Sequence, residues 1–133
     1  MTSTIRLALT LLRIGAASMM IIHGVARARL HIVDDFGVYL DSLGYPGGFY
    51  VAWAITIVEI VGGLSLAAGY LVRPLVAWFS FQLLVGIYLI HGRAGWFVVG
   101  AGRNGMEFSV LMLLCFLVIA LTVPAAYVLG RRR

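Results

Sequence analysis

Residues 49–72 read FYVAWAITIVEIVGGLSLAAGYLV, and this stretch decides the fold. Glu59 is its only charge. About 20 mostly apolar residues suffice to cross the hydrocarbon core of a bilayer as a helix. No strand-like alternation competes with that reading. Inside lipid the backbone must satisfy its own hydrogen bonds, which a helix does within one segment.

Working outward, three further runs share this character. Leu7–Ala26 is interrupted by Arg13 and His23, Pro74–Gly92 places Pro74 at its first position, and Phe108–Gly130 carries Pro124 near its end. A proline at the first helical position loses nothing, because its missing N–H has no partner there. The expectation is an all-α integral membrane protein. It has one domain over residues 1–133, a bundle of four transmembrane helices at about 7–26, 49–72, 74–92 and 108–130. The first run is read as a span rather than a signal peptide, since it is too long and no small-x-small cleavage site follows.

Composition agrees. The chain is 62% apolar and 11% charged over 133 residues, against about 45–50% and about 25% in a soluble domain. A globule of this size cannot bury that much apolar surface in water. One cysteine excludes an intrachain disulfide, a CxxC redox pair and a four-cysteine zinc site. The net charge of +5 comes from single arginines at segment ends plus Arg131–Arg133. That pattern belongs to membrane topology and not to a nucleic-acid-binding face. Arg6, Arg73 and Arg131–Arg133 fall on one side. Arg27, Arg29, Arg93 and Arg103 fall on the other, diluted by Asp34, Asp35 and Asp41. The bias favours cytoplasmic N and C termini.

The loops have structure of their own. Val33, Phe36, Leu40 and Leu43 form an apolar stripe at helical spacing, which predicts a short interfacial helix between spans one and two. Gly44–Gly48 then turn the chain. Residues 93–106 combine Trp96 and Phe97 with Gly100, Gly102 and Gly105, a flexible or re-entrant cap.

The polar residues within the spans are the functional candidates. Arg13, Ala16, Met20, His23 and Arg27 recur at spacings of 3, 4, 3 and 4 on one helix face. That face must look into the bundle, because charge facing lipid is costly. At about 1.5 Å of rise per residue, Arg13 and Glu59 each lie roughly 15 Å below the outer ends of their helices. The two are therefore expected to pair, either to fix helix register or to serve a proton-linked or ligand-orienting site. His23, His91 and Glu107 fall near one outer level, with Tyr88 a turn below His91. Three readings stand for them: a metal site, a quinone-edge site or hydrogen-bonded helix caps. Two imidazoles and a carboxylate suit zinc or iron, but no spacing within one helix enforces convergence, so no metal is expected. A bis-histidine haem fails because both histidines lie near one edge. His23, Tyr88 and His91 are the candidate quinone contacts. Gly24, Gly62, Gly63, Gly69 and Gly86 read as sites of close helix packing, and Cys115 as an inert apolar residue.

Several of these residues recur in a known pattern. Leu12-Arg13-Ile14-Gly15, Ile22-His23-Gly24, the loop from Phe36 through Leu43-Gly44-Tyr45-Pro46, Glu59-Ile60-Val61-Gly62-Gly63, Gly69, Arg73, His91-Gly92 and Glu107-Phe108 follow in order. Together they resemble the DoxX family of small four-span membrane proteins. Val123-Pro124-Ala125 departs from that family's usual ending, and Cys115 lacks the partner that a disulfide-linked branch would need. The resemblance implies a four-helix bundle in a prokaryotic cytoplasmic membrane, associated with redox complexes. Fold-level likeness does not fix activity.

Two functions follow as expectations. The first is a membrane subunit of a quinone-linked redox complex, anchoring redox partners and contributing a quinone or proton site. The second is a non-catalytic accessory subunit packed on a larger assembly or on copies of itself. A small carrier ranks last, since no broken helix pair is evident.

Overall fold

The computed structural model describes residues 2–122, and these form helices with no strand among them. α1 spans Ser3–Arg29 and is capped by the Thr2 side chain, which accepts from the Ile5 amide at 3.4 Å. It is longer than the expected run at both ends, because Arg27 and Arg29 continue the helical face instead of ending it. His31, with φ of 56°, turns the chain out of the helix.

α2 spans Val33–Ser42 and packs across the start of α3, Gly48–Ala68. Val33, Leu40 and Ala52 bury together, with Phe36 partly buried beside them. The fourth member of the predicted stripe, Leu43, lies past the helix end and is exposed. Gly37 and Gly48 bring the two backbones into contact, and a Cβ on Gly48 would overlap the Gly37 carbonyl. The Asp41 carboxylate accepts from the Gly48 amide at 2.9 Å, which caps one of the free N–H groups that open α3.

α3 stops at Ala68, four residues before the predicted end. Gly69 takes a left-handed φ of 86°, its amide bonds to Leu66 and the Tyr70 amide reaches back to Ser65 at 2.8 Å. This paired closure satisfies the last carbonyls and ends the helix. α4 spans Val72–Ala94, so Pro74 stands at its third position rather than its first. It is tolerated there because every amide of the first turn lacks an intrahelical partner. α5 spans Glu107–Thr122. The remainder of the predicted fourth span, with Pro124 and Arg131–Arg133, lies outside the described residues.

α1, α3 and α4 are long and apolar enough to cross a membrane, and α5 is a shorter apolar helix of 16 residues. The core gathers Ala16, Ala17 and Met20 of α1, Leu66 of α3, Val76 and Phe79 of α4, and Met112, Phe116 and Ile119 of α5. The Phe79 and Phe116 rings stack at 5.9 Å. Elsewhere the outer faces show large apolar groups such as Leu7, Leu11, Phe81 and Leu121 to the surroundings. Lipid, not water, is the solvent for such a surface.

Small residues let α1 and α3 touch. A Cβ on Gly24 would lie 2.8 Å from Ile60 Cγ1 and 3.0 Å from the Thr56 carbonyl oxygen, whereas nothing lies within 4 Å of one on Gly15. Gly24→Ala should therefore lose about 1–3 kcal/mol by overpacking, while Gly15→Ala should hold or gain a few tenths from helix propensity. Reversible denaturation in mixed micelles checks both; equal effects would contradict this packing.

Candidate functional site

Arg27 and Glu59 form the centre of the site. α1 and α3 run antiparallel, and Gly24 faces Thr56, Glu59 and Ile60. One turn further along α1, Arg27 comes level with Thr56 and Glu59. Its Nη1 donates to Glu59 Oε2 at 2.8 Å and to Thr56 Oγ1 at 3.1 Å, and its Nη2 donates to Glu59 Oε1 at 3.3 Å. The forked geometry is the strong form of an arginine–carboxylate pair. The Thr56 hydroxyl in turn donates to the Ala52 carbonyl at 2.8 Å. From α4, Gln82 Nε2 donates to Glu59 Oε1. The Phe36 ring lies 4.9 Å from the guanidinium carbon of Arg27, within the range of cation–π attraction. Glu59 is 1% exposed. A carboxylate so buried is tolerable only because it is paired and hydrogen-bonded.

This corrects the expected Arg13–Glu59 pair. Arg13 instead donates from Nη2 to the Ala67 carbonyl at 3.3 Å and lies beside Gly69, at the C-terminal end of α3. A cation there meets free carbonyls and the negative pole of the helix. The depth estimate set the outer ends of α1 and α3 level. In the structure the first turns of α3 rise past α1 to carry α2, which brings Glu59 up to Arg27 and leaves Arg13 at the opposite end.

A cavity of about 590 Å³ opens beside this pair. His23, Arg27, Glu59, Gln82, His91 and Ser109 supply its polar wall, and Met20, Trp78, Phe81, Leu89 and Phe108 much of the rest. His23 stacks on Phe108 at 6.0 Å. His91 Nδ1 lies 2.9 Å from the Asn104 carbonyl oxygen. A carbonyl only accepts, so Nδ1 carries a proton and donates it there. Gly86 also faces the cavity. A Cβ there would meet only His91, at 3.7 Å, so Gly86 is no site of close helix packing, and Gly69 is a helix terminator.

The loop after α4 folds over the cavity's outer end. Gly105, Met106 and Glu107 donate from their amides to Phe97, Gly95 and Trp96, each at 3.0 Å. Glu107 Oε1 accepts from the Val98 amide at 2.9 Å. Val98, Asn104 and Gly105 complete the cavity wall. Glu107 thus braces the loop and does not line the cavity. Tyr88 is 76% exposed and points away from it. Among the described residues no three His, Cys, Asp or Glu side chains gather as a metal set.

Two of the three long helices that frame the cavity contain a π-helical turn, Val58–Gly62 around Glu59 in α3 and Ile87–His91 in α4. Such turns are rare and recur at functional sites. Arg27, Thr56 and Gln82 were not singled out as site residues from the sequence. Arg27 nonetheless stood on the same 3-4-3-4 face as His23, and Gln82 is a lone amide within an apolar span.

Residues 8–92 match the family model described as DoxX. No curated protein and no solved structure matches the chain.

Removing one partner of a buried pair should cost about 3–5 kcal/mol, because the other charge is left uncompensated. Arg27→Met and Glu59→Leu should each show this loss, and the double variant should recover most of it. Arg13→Met combined with Glu59→Leu should be additive within about 0.5 kcal/mol. A double-mutant cycle of unfolding free energies in micelles decides which arginine is coupled to Glu59.

Proposed function

The chain belongs to the DoxX family of membrane proteins, and from that premise we propose that it is the membrane subunit of a quinone-linked redox complex, with the quinone held between its helices. The observation that carries this reading is the cavity, apolar over most of its wall and polar at Glu59, Gln82, His23 and His91. A quinone ring has the same division, with flat apolar faces and carbonyl oxygens at its edge. Sites for such ligands are concave, mostly apolar and supplied with a few placed polar groups.

The reduction of a quinone takes two electrons and two protons. The chain carries one cysteine and no sequence motif for haem, flavin or an iron–sulfur cluster, so a partner redox protein delivers the electrons. Protons reach the ring through side chains. Glu59, held by Arg27 and Gln82, is the carboxylate assigned to take up protons from the aqueous phase and pass them to the ring, with the His91 imidazole as a second carrier. We place the complex in a prokaryotic cytoplasmic membrane as a four-span bundle. The distribution of Arg6, Arg73 and Arg131–Arg133 supports cytoplasmic N and C termini.

One observation favours a second reading. The Arg27–Glu59 pair has all its strong partners in place, as a purely structural clasp would. The chain would then be a non-catalytic accessory subunit.

Glu59→Gln separates the two. Glutamine matches the carboxylate in shape and still accepts from Arg27, so the bundle folds at lower stability. In complexes purified with their partners, quinone reduction per folded complex should fall about 10²-fold or more on loss of the proton-transfer group. Unchanged turnover alongside weaker assembly would establish the accessory role.

A further inference from the structure

We propose that the cavity takes an uncharged amphiphile whose polar head lies among His23, Gln82 and His91 and whose chain leaves into the bilayer between α3 and α4. This deepens the quinone reading and rests on it for the identity of the head, though not for the charge or the path of the tail.

The charge argument comes from the wall. Arg27 and Glu59 are the charged side chains lining the cavity, and they are paired with each other at 2.8 Å. The wall therefore presents no net charge from these groups. An anionic ligand would have to draw Arg27 from Glu59 and leave a carboxylate that is 1% exposed without its counter-ion. A cationic ligand would compete with Arg27 in the same way. Both are costly where water is excluded. An inorganic oxyanion or a fatty acid is disfavoured, and a neutral head is not.

The path of the tail comes from residues with two environments. Tyr39 of α2 and Trp78 and Phe81 of α4 line the cavity, yet they are 36%, 41% and 58% exposed. Met19 and Ile22 of α1 share this double character, at 37% and 57% exposed, so exposure marks the open rim. Helix packing decides which flank parts: α1 and α4 both pack along α5, which leaves the α3–α4 side. α3 and α4 pack together beside the Gly69 turn, and further up the Glu59–Gln82 hydrogen bond bridges them. The gap above that turn opens sideways, beneath α2, onto a surface of aromatic and aliphatic groups. Water gains nothing there, and an alkyl chain does. The polar groups at the inner end and the apolar rim at the gap fix the direction in which an amphiphile lies.

Gly86 supplies the means to close the cavity. Within 4 Å of a built Cβ lies only the His91 ring, at 3.7 Å, and Gly86 lines the cavity, so a larger side chain there enters the cavity.

The test uses the full chain in lipid nanodiscs, with binding of decylubiquinone read by quenching of tryptophan fluorescence. Monoolein and oleate, which share one acyl chain and differ in charge, serve as competitors at alkaline pH, where oleate is ionised. Monoolein should displace decylubiquinone at least about tenfold more effectively than oleate, because only oleate disturbs the buried pair. Gly86→Leu should abolish specific quenching while leaving the helical circular dichroism intact. Equal competition by the two lipids would overturn the proposal without recourse to any variant, and so would quenching unaffected in a folded Gly86→Leu protein. Should radiolabelled monoolein bind with this selectivity while decylubiquinone does not, the neutral-amphiphile site stands and the quinone reading falls.

Discussion

A carboxylate in the interior of a helical bundle has few ways to exist, and Glu59 is held in the most demanding of them. Its two oxygens receive the guanidinium of α1 and the amide of α4. Three helices are therefore tied at one point, where sliding any of them by a turn would strand a charge. Apolar packing in lipid sets no such register by itself, because one greasy face is nearly as good a neighbour as another. The glycine at position 24 and the pair at Arg27 and Glu59 act together: the first permits the approach of α1 to α3, and the second fixes its height.

Much of the cavity follows from that height. With Glu59 raised to the level of His23 and Arg27, the polar groups collect in the half of the bundle nearer α2, while Phe79, Phe116 and Leu66 fill the other half tightly. The loop that runs from Gly95 to Met106 closes the outer end through backbone hydrogen bonds and the Glu107 carboxylate. The result is a packed floor, a polar middle and a roof of main chain.

The helical class, the apolar spans, the helix at 33–42 and the family pattern could all be read from residue order, because hydrophobicity and periodicity are local properties. His23, Glu59 and His91 could be named for the same reason: each is an ionisable group within an apolar run. Their distances could not, since depth was counted from assumed helix ends. Those ends depend on Gly69 adopting a left-handed turn and on α2 lifting the start of α3, both of which are set by packing. Arg27 shows the effect of those ends. It lay on the marked face but at what looked like the helix exit. Tyr88 shows the converse. Its spacing from His91 suggested a shared site, and the π turn that contains both rotates it outward.

The closed turn at Gly69 also bears on how the chain is built. With α3 and α4 joined by only Gly69, Tyr70 and Leu71, the two helices form one hairpin, and a connection this short favours their entry into the bilayer as a unit. Glu59 and Gln82 ride on that hairpin together, so the carboxylate brings a hydrogen-bond donor with it. Arg27 arrives on a helix made earlier and waits at the bilayer's edge, where its long side chain can stay wet. Docking of the hairpin against α1 then brings the guanidinium onto the carboxylate and sets the register of three helices in one step.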